Sequence, residues 1–353
     1  MYNFELASLP WNIVFGPGSL KSLPDKLKQY AFKQPLILST PEQSADAQKI
    51  ADVLKNLNAE IFDKAVMHVP VETVKEAQHI IETLNIDCTI SIGGGSTTGL
   101  GKALALKNDL PNIAIPTTYA GSEMTNIWGI TENGRKITGR DNKVVPNLIL
   151  YDPELTLSLP AYIAGPSGIN AMAQAVVNLT AENQNPIISL WAEEAVRVLT
   201  KGLPRIMEHP EDIDARSDIL YGACLAGAAL GVGITGVHHR LCHTLGGSFN
   251  MSHAETHTII LPHTVAFNNS YVSEQTQRLA KAMGQLDPAA AIFDLAVKVG
   301  AKTSLKDIGF KKNDIEKAAK ISVEKPCNNP RPVVFDSVMK LLIDAYQGQR
   351  PHC

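Results

Sequence analysis

The stretch GVHHRLCHTLGGSFNMSHAETH, residues 236–257, holds five histidines. His239 and His243 stand four residues apart, as do His253 and His257, so each pair shares one face if the segment is helical. Imidazoles so arranged can grip a transition metal, carry a proton near neutral pH or set positive charge beside an anion. A metal normally also takes carboxylate or thiolate ligands. The five cysteines, Cys88, Cys224, Cys242, Cys327 and Cys353, are scattered without any CxxC pair and read as free thiols, neither a zinc site nor a disulfide framework.

A second chemical feature lies in CTISIGGGSTTGLGKALAL, where an apolar run ends in Gly93, Gly94, Gly95 and Ser96 and a helical pattern follows. Glycines let the backbone approach a phosphate, and the unbonded N–H groups of a helix start favour an anion, so a dinucleotide pyrophosphate fits here. The pattern is not GxGxxG. IPTTYAGSE adds Thr117, Thr118 and Ser122 directly after another apolar run, at the kind of strand end where ligands sit in parallel sheets.

The elements that must position these groups alternate. QPLILST, AEIFDKAV, DCTISIGGGS, NIAIPTTYAG and NLILYDPEL read as strands, with SADAQKIADVLKNL and VETVKEAQHIIETLN as helices, which predicts a parallel sheet covered by helices on both faces. After Leu159 strand signals cease. Helical patterns follow one another, the first expected to start at Pro166 and Ser167, and LTLSLPAYIAGPSG reads as a connector. The expected organisation is an α/β dinucleotide-binding domain over residues 1–159 and an all-helical domain over 160–353.

At 353 residues, with 44% hydrophobic and 19% charged residues, the composition is that of a globular protein without an apolar run long enough for a membrane span. A net charge of −3 supplies no basic field for nucleic acid. The N-terminus lacks the basic and apolar regions of a secretion signal, so the cytoplasm is the expected location.

In order and spacing, GGGSTTGLGKALA, IPTTYAGSEMT, LILYDPELT, SGINAMAQA and HHRLCHTLGGSFNMSHAETHTIILPH resemble the iron-containing alcohol dehydrogenase superfamily and, within it, the maleylacetate reductase branch. The resemblance covers nearly the whole chain. It implies a fold shared with dehydroquinate synthase-like enzymes, a substrate cleft between two domains, a homodimer, and reduction of the dicarboxylate maleylacetate to 3-oxoadipate by NADH or NADPH in the catabolism of phenolic compounds. The metal-dependent members' ligand positions fall on Asn170, Gln174, His239 and His253. Two amides there leave a divalent charge uncompensated, so no metal is expected. The branch commonly keeps asparagine at the first position, while Gln174 stands where many of its members have histidine. Gly99 replaces an aspartate usual in metal-dependent relatives, and Lys102 keeps the family's lysine.

His243 is the expected proton donor or enolate stabiliser, with His239, His253 and His257 shaping an electropositive pocket and Asn170 donating amide hydrogen bonds. His238 is expected to point off that face, and His263 to start a helix. Arg240 and Lys143 are candidate carboxylate partners. Ser39, at a strand end reading LST, predicts tolerance of both NADH and NADPH, because no acidic residue repels a 2′-phosphate. The competing readings are a metal-dependent alcohol or polyol dehydrogenase, a dehydroquinate synthase-like cyclase and an inactive nucleotide-binding homologue.

Overall fold

Buried apolar runs decide the first half of the chain. The computed structural model describes residues 3–353. Its α/β unit, residues 7–159, runs β1 (Ile13–Phe15), α1 (Leu23–Gln29), β2 (Pro35–Leu38), α2 (Ser44–Val53), β3 (Glu60–Phe62), α3 (Val71–Leu84), β4 (Cys88–Gly93), α4 (Gly95–Asn108), β5 (Asn112–Pro116), β6 (Ile127–Glu132), β7 (Arg135–Arg140) and β8 (Leu148–Tyr151). Six strands form one parallel sheet in the order β1-β8-β5-β4-β2-β3. β2, β4, β5 and β8 are buried along their whole length, which is why they read as continuous apolar runs. Alternate residues serve the two faces: Ile37, Ile90 and Ile113 pack with Leu27 and Ile50, whereas Leu36 and Leu38 pack with Val74, Ala77 and Leu100.

Two features differ from the sequence reading. PLIL is the second strand; β1 precedes it at the sheet edge, three residues long with Ile13 and Phe15 exposed, too short to show a period. β6 and β7 form a separate antiparallel hairpin closed by Asn133 and Gly134, both at positive φ. Asn-Gly between paired strands is the type I′ signal, and ENGR carried it.

The chain moves outward from β2 to β3, returns to β4 on the other side of β2, and continues to β5. The strand order therefore reverses between β2 and β4. The crevice beyond the carboxyl ends of such a pair is the general ligand locus of open parallel sheets.

The second unit comprises residues 160–353 together with residues 3–6, a stretch without a periodic pattern that the sequence groups with the first half. It contains α5 (Ala161–Leu179), α6 (Pro186–Glu208), α7 (Ile213–Val232), α8 (Val237–Phe249), α9 (His253–Asn268), α10 (Ser273–Met283), α11 (Pro288–Lys298), α12 (Ile315–Val323) and α13 (Phe335–Gln347), and no strand among the described residues. α5 begins five residues before Pro166, which lies inside it. The carbonyl that loses its helical partner belongs to Tyr162, in the exposed first turn where water can bond it. The supposed connector is largely helix. Its glycines serve close packing: a Cβ on Gly168 would lie 2.3 Å from Leu203 on α6, and one on Gly165 would lie 2.9 Å from Val299. Among the described residues no single helix is long and apolar enough to cross a membrane.

Candidate active site

In the α/β unit the glycine turn is shaped by its neighbours. Gly93 has φ 142°, and a Cβ there would fall 2.5 Å from Gln43 Oε1 and 2.7 Å from Thr97 Oγ1. Gly94 caps α4 in extended backbone, so no side chain bonds the N–H groups of the first turn, which also holds no acidic residue. Gly94, Gly95 and Ser96 are open to solvent while Gly93 is buried. Thr117 and Thr118 follow β5, the next strand, and Ser122 lies in the turn beyond. Gln43, which no motif had marked, donates to Thr117 Oγ1 at 2.7 Å and ties the loop after β2 to the loop after β5. Ser39 is fully buried, its Oγ without a hydrogen-bond partner, and Thr40 is the half-exposed hydroxyl at that strand end.

Lys102 has a clear task. Buried on α4, its ammonium donates to the carbonyls of Ser122 (2.5 Å), Thr125 (2.7 Å) and Ile127 (2.9 Å) and to Thr125 Oγ1 (2.9 Å). Burial pushes its pKa down to about 7, with Glu123 pulling it back up. The lysine thus pins the 122–127 loop onto the helix that starts at the glycine turn. Lys102→Met leaves three carbonyls without their donor, and urea unfolding should show a loss of about 2 kcal/mol. Three residues earlier, a Cβ on Gly99 would meet Val69 Cγ2 at 2.8 Å, so the place of a longer side chain is already filled.

In the helical unit, the α8–α9 pair brings all five histidines into ring contact. Centroids lie 5.3 Å apart for His238 and His239, 4.8 Å for His238 and His257, 6.0 Å for His239 and His243, 5.2 Å for His239 and His257, and 4.3 Å for His253 and His257. His238 is no off-face residue: buried, its Nε2 faces His257 Nδ1 at 2.9 Å. α9 packs on the flank of α8 to which His238 points, which a wheel drawn for α8 alone does not show. His263 is not a helix start either, but a buried residue inside α9.

Burial divides the cluster. Desolvation pushes His238 down to about 3, and His257 well below its ordinary value, with neighbouring histidines adding repulsion. These two rings are neutral at pH 7, which corrects the expectation that His257 lends positive charge. His239 is buried, whereas His243 and His253 are exposed. Arg240 is engaged with the carbonyls of Lys325 and Pro326, and Lys143 pairs with Asp109 at 3.0 Å on an exposed part of the other unit. Asn170 and Gln174 lie buried, one turn apart, on α5, which packs against α6, α7 and α9. Asn170 Oδ1 has no hydrogen-bond partner.

Residues 10–153 match the family described as iron-containing alcohol dehydrogenase, and residues 165–346 match its C-terminal part. The chain belongs to the iron-containing alcohol dehydrogenase family. It is 50% identical to a maleylacetate reductase of Sphingobium indicum, with 99% of each chain covered, and 49% identical to one of Burkholderia cepacia, with 96% of each covered. The crystal structure of maleylacetate reductase from Agrobacterium tumefaciens matches with a TM-score of 0.95 at 43% identity, over 99% of this chain and 100% of that one. The parallel-sheet α/β domain and helical C-terminal domain are those of this family.

The family name implies iron, and the residues present do not fit it. The positions that the resemblance assigns to the ligands hold two neutral amides and two imidazoles, so nothing there offsets a divalent charge. His238, Cys242 and His257 bring ligand atoms within 4.8 Å of one another, but the two imidazoles are engaged with each other in the 2.9 Å hydrogen bond. Burial also raises the Cys242 thiol, which keeps its proton.

Proposed function

We propose that this family member reduces the carbon–carbon double bond of maleylacetate to 3-oxoadipate with NADH or NADPH, without a metal, as a cytoplasmic homodimer. The observation that carries the reading is the five-histidine cluster, in a chain whose inherited metal positions hold two amides. When bound, the reduced nicotinamide supplies a hydride to the alkene carbon β to the ketone. The electron pair of the double bond moves to the ketone oxygen as an enolate, and a proton on the adjacent carbon completes the product. An enolate conjugated through carbon asks less of a Lewis acid than an alkoxide does, and cationic imidazoles can stabilise it. His243 and His253 are the exposed members fit for that charge, with His243 as the proton donor. His239 and His257 shape the pocket around them, and Asn170 offers its amide to the substrate. The uncapped start of α4, with Gly93, Gly94, Gly95, Ser96, Thr117, Thr118 and Ser122, receives the cofactor pyrophosphate. Ser39 closes the strand end from below, so that Thr40 meets the ribose.

Oxidation of NADH by maleylacetate tests this. Protein dialysed against a chelator should keep full activity, and added zinc should leave it unchanged or inhibit. NADH and NADPH should differ in kcat/KM by less than about a thousandfold, the equivalent of roughly 4 kcal/mol. Near-stoichiometric metal, with activity lost on chelation and restored by iron or zinc, overturns the reading in favour of a metal-dependent alcohol dehydrogenase. Absence of any NADH consumption favours a cyclase or an inactive homologue.

A further inference from the structure

Two nitrogens 2.9 Å apart, His238 Nε2 and His257 Nδ1, share one hydrogen, so one ring donates and the other accepts. Which does which is decided behind His238. Thr264 Oγ1 stands 3.2 Å from His238 Nδ1, 2.9 Å from the carbonyl of Leu261 and 3.2 Å from that of Ile260. Carbonyls only accept, and the hydroxyl has one hydrogen. Given to the nearer carbonyl, that hydrogen leaves Oγ1 as the acceptor for an N–H on His238 Nδ1. His238 then presents a bare Nε2, and the hydrogen in the His238–His257 contact belongs to His257. Cys242 agrees with this polarity: its Sγ lies 3.8 Å from the same His238 Nε2, and a thiol that keeps its hydrogen is a weak donor to it. His257 Nε2, buried and without a hydrogen-bond partner, is left with its lone pair.

We propose that Thr264 and His238 set the tautomer of His257, holding its Nε2 as a bare hydrogen-bond acceptor inside the histidine cluster, in ring contact with His253 at 4.3 Å. Thr264 and His238 are positioning residues; they act through His257. The arrangement fixes which nitrogen of the His257 ring accepts a hydrogen within the cluster, so its catalytic meaning rests on the function proposed above. A buried acceptor without a partner is also tolerated better than an orphan donor, which favours this tautomer over its mirror.

The test is a long-range proton–nitrogen NMR spectrum of the full chain labelled with nitrogen-15 in histidine only. His257 should carry its hydrogen on Nδ1. Thr264→Val keeps the shape and removes the acceptor: it should release that tautomer and lower kcat for maleylacetate about tenfold, as loss of a partner that orients a functional imidazole does. The KM for NADH should stay unchanged. Thr264→Ser should restore both the spectrum and the rate. His238→Gln, which keeps an acceptor oxygen, should retain more activity than His238→Leu. A wild-type spectrum with the hydrogen on His257 Nε2 overturns the proposal, as does a Thr264→Val protein with a slow rate but an unchanged tautomer. Should the chain fail to reduce maleylacetate, the spectrum still decides the tautomer, so the two readings fail separately.

Discussion

His243→Ala lowers turnover of maleylacetate about a hundredfold, the range for losing a general acid or a charge-stabilising donor, while the affinity for NADH hardly changes. The reaction places negative charge on an enolate oxygen and then asks for a proton at carbon. Of the five clustered imidazoles, His238 and His257 are kept neutral by burial and are hydrogen-bonded to each other. His243 stands exposed on α8, one turn beyond the buried His239 and in ring contact with it at 6.0 Å. In the proposed reaction it is the member of the cluster placed to deliver a proton where the cluster meets solvent. Stopped-flow and steady-state measurements separate the steps: NADH binding stays intact while the chemical step slows. Near-normal turnover in this variant would show that His243 is structural and that His253 or water supplies the proton.

The sheet was legible where burial is complete. β2, β4, β5 and β8 are covered on both faces, so their residues had to be apolar without interruption, and the glycines after β4 announced a turn under steric demand. β1 was not legible because a three-residue edge strand with two exposed side chains leaves no pattern. Pro166 misled because proline most often starts a helix, and an exposed first turn tolerates it further in. The four-residue spacings found the two histidine pairs on α8 and α9. His238 was missed, since a wheel drawn for one helix cannot show that a second helix, bearing His257 and Thr264, packs along its flank. Gln43 and the carbonyl set around Lys102 are long-range partners that no local motif encodes.

Three departures from the metal-dependent pattern acquire a physical setting in this fold. Asn170 lies buried on α5, where a carboxylate without a counter-charge would be costly, and Gln174 lies buried one turn further along the same helix. Gly99 is crowded by Val69, a residue held at φ 50° in a stretch where His68 also has positive φ. A longer side chain at position 99 would have to displace a β-branched residue already in an uncommon backbone conformation.

Below pH 6.5 the protein loses stability, and His263 contributes a share that one substitution can remove. Burial inside α9 pushes this imidazole down to about 4, with Asp344 only partly opposing the shift. The native state leaves it neutral between about pH 6.5 and 4, whereas the unfolded chain protonates it, so the unfolded state binds more protons and stability rises with pH across that window. The contribution is complete above the unfolded pKa. Falling through the window, it costs about 3 kcal/mol for a shift of this size. His263→Gln has no proton to gain, so its urea-unfolding free energy should fall less steeply between pH 6 and 4.5, by about 1.4 kcal/mol per pH unit. His238 and His257 are shifted the same way and remain in the variant, so the residual slope should stay positive. Equal slopes in variant and parent would mean that His263 reaches water in the native state and takes up its proton there.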